Sequence, residues 1–204
     1  MEKTNTFFKQ KTQFFDHWAT TYDCLLTTIF YQAIHQRLLT YVQLPIQAKV
    51  LDLGCGTGKL LNRLCKKFPE TQGTGVDLSP AMLRQARAEN QSHPRLIFCE
   101  GNAESLAFVP NQFDAVFNTI SFLHYPNPEK VFAEISRVLM PEGHFYLADY
   151  VGTTKRQNLS ITPGGLRFYS SQQREEFATN VGLICCGHYY LLGPVMLSIF
   201  QRSR

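Results

Sequence analysis

The 204-residue sequence predicts an α/β fold, a doubly wound sheet of mostly parallel strands with helices on both faces. Three observations predict it. Strand-like and helix-like segments alternate from about residue 48 to 150. The run FDAVFNTIS, residues 113–121, is almost continuously apolar, as a strand covered on both faces should be. The run VLDLGCGTGKL, residues 50–60, ends a short β-rich stretch in three glycines spaced by two.

The elements follow in order. Residues 50–53 form the first strand, and KLLNRLCKKF sets Leu60, Leu61, Leu64, Cys65 and Phe68 at helical spacing before Pro69 closes the segment. TGVDLS (74–79) is a second strand. Ser79-Pro80 then supplies a capping hydroxyl and a proline for the first helical position of AMLRQARAEN. LIFCEGN (96–102) and FDAVFNTIS are the third and fourth strands. Asn127-Pro128 opens a helix with Val131, Phe132, Ile135, Val138 and Leu139 on one side, and Met140 to Gly143 turn the chain into HFYLADY, a fifth strand. Residues 151–169 lack periodicity. Ser170 with Gln173 can form a capping box for a last helix ending near Gly182. LICCGHYYLL and VMLSIFQR flank Gly193-Pro194, which predicts an antiparallel hairpin at one edge of the sheet. With no internal repeat or linker, the reading is one domain over residues 1–204.

Composition excludes several classes. A net charge of +4 with basic residues scattered singly or in pairs gives no stripe for nucleic acid. No uncharged apolar run approaches the ~18 residues that a membrane helix needs, so a cytoplasmic protein is expected. Six cysteines show no C-x-x-C pair and no Cys/His cluster at zinc spacing. No metal is expected, and the cysteines read as small buried hydrophobes in a reducing compartment.

The glycines then need a purpose. The P-loop pattern fails, because Leu53 stands at its first glycine and Leu60 follows Gly58-Lys59; the dinucleotide fingerprint fails for want of a third glycine, replaced by Lys59 or Leu61. What remains is D-x-G-x-G-x-G: Asp52, Gly54, Gly56 and Gly58. With VLDLGCGTGKL, GVDLSPAMLRQAR, EGNAESLAF and the segment from Phe113 to Tyr150 in this order, the sequence resembles the class I S-adenosylmethionine-dependent methyltransferases, within them the small-molecule group called methyltransferase type 11. HWATTYD (17–23) is similar to the N-terminal cofactor-covering helix of many members.

The resemblance implies a Rossmann-like, seven-stranded sheet, mostly parallel with a C-terminal antiparallel hairpin. It also implies covering helices over residues 1–45, a core over 46–204, and S-adenosylmethionine as cofactor. Asp77, 19 residues past Gly58, would accept hydrogen bonds from the ribose hydroxyls, and Asp52 would hold the cofactor's amino group. Gly54, Cys55, Gly56 and Gly58 would allow close backbone approach. Leu78, Met82, Asn102, Ala103 and Glu104 would surround the adenine, with Asn118 at the end of the fourth strand and Tyr22 covering the cofactor. Asn102 departs from the acidic residue usual there; its carbonyl oxygen accepts the same bond more weakly.

Methyl transfer needs alignment of the acceptor more than a side-chain catalyst. Candidate bases for an oxygen or carbon acceptor are His124, which packed in an aromatic loop is more often structural, and Asp149, which can simply end its strand. The expected acceptor is a small molecule, since Asn118-Thr119-Ile120-Ser121 lacks the [DN]-P-P-[YF] of nucleobase amino-methyltransferases. Phe7, Phe8, Phe14, Phe15, Trp18 and Tyr22 with Phe168 and Tyr169 are expected to form an aromatic lid or to pack the N-terminal helix. The competing functional reading is a non-catalytic protein of this fold acting through protein partners. Oligomeric state is not read from the sequence.

Overall fold

The computed structural model describes residues 9–13, 16, 25–152, 158–159 and 165–204. A seven-stranded sheet runs in the order β3-β2-β1-β4-β5-β9-β8, built from β1 (Lys49–Leu53), β2 (Gln72–Asp77), β3 (Leu96–Glu100), β4 (Phe113–Thr119), β5 (Leu139–Tyr150), β8 (Leu183–Leu192) and β9 (Val195–Arg202). The first five pair in parallel, while β9 pairs antiparallel with both β5 and β8. Helices α1 (Leu25–Tyr41), α2 (Lys59–Lys67), α3 (Pro80–Ala88), α4 (Pro128–Val138) and α5 (Ser171–Thr179) cover the two faces. Among the described residues no helix is long and apolar enough to cross a membrane.

Alternation along β1 divides the interior. Val50 packs with Leu60, Leu61, Leu64, Phe117 and the α1 residues Ile34 and Leu38 on one face. Leu51 and Leu53 pack with Val131, Phe132, Ile135, Phe145 and Phe200 on the other. Residues 131, 132, 135, 138 and 139 are all buried, as their spacing demands. Ser170 and Gln173 form a complete capping box, and the C-terminal hairpin turns at Gly193, whose φ is +51°.

Two details differ from the sequence reading. Residues 140–143 lie inside β5, because Leu139 already pairs with Phe113 before a register break carries the ladder to Ala115 and His144. The segment 151–169 holds a two-stranded ladder, β6 (Asn158–Leu159) with β7 (Leu166–Arg167), too short for any periodicity to announce.

Candidate functional site

The carboxyl ends of β1 and β2 lie side by side, with Asp52 opposite Gly75 in register, so the chain leaves both strands at the centre of the parallel half. The glycine turn that follows β1 adopts left-handed dihedrals at Gly54 (φ +67°), Gly56 (+51°) and Gly58 (+75°). Gly54 N–H and Cys55 N–H both donate to Val76 O, at 2.8 and 3.1 Å, which ties the turn to β2. A Cβ at Gly54 would meet Ser121 Oγ at 2.4 Å, and one at Gly58 would meet Phe98 at 2.7 Å; one at Gly56 would meet nothing within 4 Å. Two of the three glycines therefore answer neighbours within the protein, and Gly56 faces open space.

Asp77 closes β2 and organises this open side. Its carboxylate accepts from Gly56 N–H at 2.8 Å and from Ser79 N–H at 2.9 Å. Ser79 caps α3 through Met82 N–H and donates its hydroxyl to Asp16 at 2.5 Å; Asp16 also accepts from Ala81 N–H at 3.1 Å. An N-terminal residue is thereby fastened to the helix that follows Asp77.

A small cleft of about 40 Å³ opens beside the turn, between Thr28, Tyr31 and His35 of α1, Asp52, Gly56 and Thr119. His35 is buried, and its Nδ1 lies 2.9 Å from an Arg63 guanidinium nitrogen. Because that group can only donate, Nδ1 accepts and the neutral ring carries its proton on Nε2. Burial, with Arg63 and Lys59 nearby, lowers the His35 pKa to about 3.

The cleft holds charges of both signs, with Lys59 and Asp52 in its lining. Burial pushes the Asp52 carboxyl well up, and the charge of Asp77 adds to it. Burial raises Asp77 too, against hydrogen bonds from Ser79, Gly56 and Leu78, with Asp16 as a further negative neighbour. At the end of β4, Asn118 Oδ1 and Thr119 Oγ1 are buried without a hydrogen-bond partner among the described residues. Asp52 and Asp77 beside Gly56, with Thr119 Oγ1 in the cleft lining, offer acceptors that fit an amine- and hydroxyl-bearing ligand.

The remaining predicted residues have defined places. Cys55 is buried, its sulfur against β2, where a Cβ on Gly75 would meet it at 2.8 Å. Met82 is buried on α3, and Leu78 bridges Asp77 to Ser79. Asn102 Oδ1 accepts from Glu104 N–H at 2.9 Å, closing its own turn around the buried Ala103. The Glu104 carboxylate accepts from Asn127 N–H and Nδ2, at 3.1 and 2.8 Å. Asn118 is fully buried and donates through Nδ2 to Leu53 O, Ser121 Oγ and Tyr125 Oη, which locks the ends of β1 and β4 beneath Gly54.

His124 ends the 3₁₀ turn Phe122–His124, and Asp149, next to the Ala148 that pairs with Thr119, bonds that turn at Leu123. Asp149 is buried and accepts from Leu123 N–H at 3.0 Å and Tyr150 N–H at 2.7 Å; burial outweighs those bonds and Arg174, raising its pKa to about 6. His124 Nδ1 lies 3.4 Å from Lys11 Nζ, and burial followed by that lysine lowers its pKa to about 3. Tyr22, Phe7, Phe8, Phe14, Phe15 and Trp18 lie outside the described residues. Phe168 meets Tyr150 edge-on at 6.4 Å, whereas Tyr169 packs against Phe122 and Phe177.

Sequence reasoning missed Tyr31, His35, Arg63 and Asp16. The signal for the first two was the i, i+4 spacing on α1, one turn of a helix that has no clean apolar stripe. Nothing local marked Asp16.

Comparison with known proteins adds the following. Residues 50–143 match the family model described as Methyltransferase domain. The malonyl-[acyl-carrier protein] O-methyltransferase of Hahella chejuensis is 32% identical over 171 residues, which cover 81% of this chain and 60% of the relative. A sterol 24-C-methyltransferase of Aspergillus fumigatus is 35% identical over 137 residues, 63% of this chain and 36% of the relative. The chain thus spans between about a third and three-fifths of the length of these relatives. Among solved structures, the complex of a Haloferax volcanii methyltransferase activator with a methyltransferase shares the fold. Its TM-score is 0.79 at 22% identity, over 93% of this chain and 98% of that one.

Proposed function

The chain carries a class I S-adenosylmethionine-dependent methyltransferase domain, and from that premise we propose that it moves a methyl group from this cofactor to a small-molecule acceptor. The observation that carries the reading is the pairing of the open Gly56 with two carboxylates at adjacent strand ends, the buried Asp52 and the half-buried Asp77. Asp77 would hold the ribose hydroxyls, and Asp52 the amino group. Residues 102–104 would line the adenine, and Thr119 Oγ1 would find a partner in the bound molecule. When bound, S-adenosylmethionine supplies an electrophilic methyl on a positively charged sulfur. The chain's own task is to bind, orient and exclude water.

His124 and Asp149 support a positioning role in this reading. Asp149 is buried and His124 half-buried; both are engaged with neighbours, and Asp149 holds the turn that carries His124. The relatives' names include an acyl-carrier-linked malonyl group and a sterol, which supports a small acceptor with an apolar or acyl body. Isothermal titration with S-adenosylmethionine and S-adenosylhomocysteine tests the proposal. Micromolar binding that Asp77→Ala abolishes is expected.

A second reading, a fold member acting through protein partners, draws on Asn102, whose side-chain oxygen is engaged within its own turn. The Haloferax fold neighbour is itself in complex with an activator protein. Correctly folded protein that binds neither compound would favour this reading over methyl transfer.

A further inference from the structure

The far edge of the sheet holds a second polar cluster, four strands beyond β1 in the sheet order. Along β8, Cys185 pairs with Phe200 but the next pair is Gly187 with Ile199, so Cys186 is the extra residue of a β-bulge. In a regular strand, residues three apart point to opposite faces. The bulge, with Gly187 at φ +146°, removes that opposition and brings Cys185 and His188 together. Cys185 Sγ lies 3.5 Å from His188 Nε2, and Glu175 Oε1, on α5, lies 2.8 Å from the same nitrogen. All three ligand atoms fall within 4.8 Å of one another.

We propose that Cys185, His188 and Glu175 form a zinc-type divalent metal site with one position left to solvent. Thiolate, imidazole and carboxylate are the ligand set of such an ion. Donors ~2.0–2.3 Å from a tetrahedral centre stand roughly 3.3–3.7 Å apart, close to the sulfur–nitrogen spacing. The histidine is oriented from behind: its Nδ1 lies 2.9 Å from Ser198 Oγ. One lone pair of that hydroxyl accepts from Arg174 at 3.1 Å, and the other is free to take the Nδ1 proton. With the proton on Nδ1, Nε2 presents its lone pair beside a sulfur and a carboxylate, where a cation joins all three; the 2.8 Å between Nε2 and Glu175 Oε1 widens as the ion enters. Arg174 in turn donates to Met196 O and Tyr150 O, which fixes the orientation to the end of β5. Glu175 is exposed and the other two are half-buried, so the ion has a path from solvent.

The sequence spacing hid this cluster, since C-x-x-H on a strand is not a metal pattern without the bulge. Occupancy would clamp α5 to the C-terminal hairpin, independently of the cleft at Gly56. The competing arrangement is metal-free, with His188 Nε2–H donating to Glu175 and Ser198 Oγ–H donating to Nδ1.

The test uses the full chain after chelator treatment. Zn²⁺ is titrated in competition with a chromophoric chelator, and Co²⁺ is followed by its sulfur charge-transfer absorption. One equivalent of metal, a cobalt–thiolate band and a raised melting temperature on adding Zn²⁺ are expected. Cys185→Ser and His188→Gln should each weaken binding at least about 100-fold, while Cys186→Ser, at the exposed neighbour, leaves it unchanged. Glu175→Gln on the exposed helix face keeps the fold intact and should weaken Zn²⁺ about 10-fold. Absence of stoichiometric binding, or binding indifferent to Glu175→Gln and Cys185→Ser, would overturn the assignment in favour of the hydrogen-bonded pair.

Discussion

The two ends of the sheet treat buried charge in opposite ways. In the antiparallel half, the buried Arg174 donates to Met196 O, Ser198 Oγ, Asp149 O and Tyr150 O at 3.0–3.1 Å. Burial lowers its pKa only to about 10, so the group stays charged and serves the protein's own backbone. In the parallel half, the buried Asp52 and the half-buried Asp77 close adjacent strands, and both are pushed upward in pKa. A charge supplied with partners holds a fold together. Charge left without a counterion marks where a ligand completes the structure.

Arg174→Met separates the two halves most strongly. It strips donors from buried acceptors, so urea denaturation should show a loss of about 3 kcal/mol or more, while S-adenosylmethionine affinity changes less than about 3-fold. Asp77→Ala should do the reverse in emphasis, weakening the cofactor at least about 100-fold in isothermal titration, since two charge-assisted hydrogen bonds are lost. Comparable damage to stability and binding from both variants would erase the distinction.

The glycines sharpen it on a smaller scale. Gly58→Ala forces a methyl toward Phe98 at a positive φ and should cost about 2 kcal/mol of stability. Gly56→Ala meets no neighbour and should cost about 1 kcal/mol, yet it should weaken the cofactor more than Gly58→Ala does.

A last effect depends on pH. The folded His35 pKa of about 3 lies below the ordinary 6.5, so the unfolded chain takes up the proton first. Stability contributed by the neutral ring is whole above pH 6.5 and is lost progressively as pH falls toward 3. His35→Gln should therefore flatten the acid-side fall in stability by about 1.4 kcal/mol per pH unit between pH 6 and 5, read from denaturation midpoints.

How much of this could be read beforehand follows from what is local. Strand–helix alternation, the Ser79-Pro80 start and the Ser170–Gln173 box are set by neighbouring residues, and each stands where its pattern put it. The D-x-G-x-G-x-G run placed the turn for the same reason, since only glycine takes those dihedrals freely. The missed features join distant segments. Asp16 reaches Ser79 across 63 residues, and Arg63 meets His35 across 28, contacts that only the folded chain creates. The bulge at Cys186 broke the two-residue period on which strand faces are read, and the aromatic segment around Trp18 and Tyr22 lies outside the described residues.

The claim that Asp52 and Asp77 receive a cationic cofactor is tested most directly by S-adenosylmethionine affinity measured from pH 8 down to 5. The account predicts affinity that falls on acidification, as the raised Asp52 and Asp77 carboxyls take up protons, and a weaker pH dependence in Asp52→Asn. Affinity that is flat across this range, or that rises as the carboxyls protonate, would contradict it.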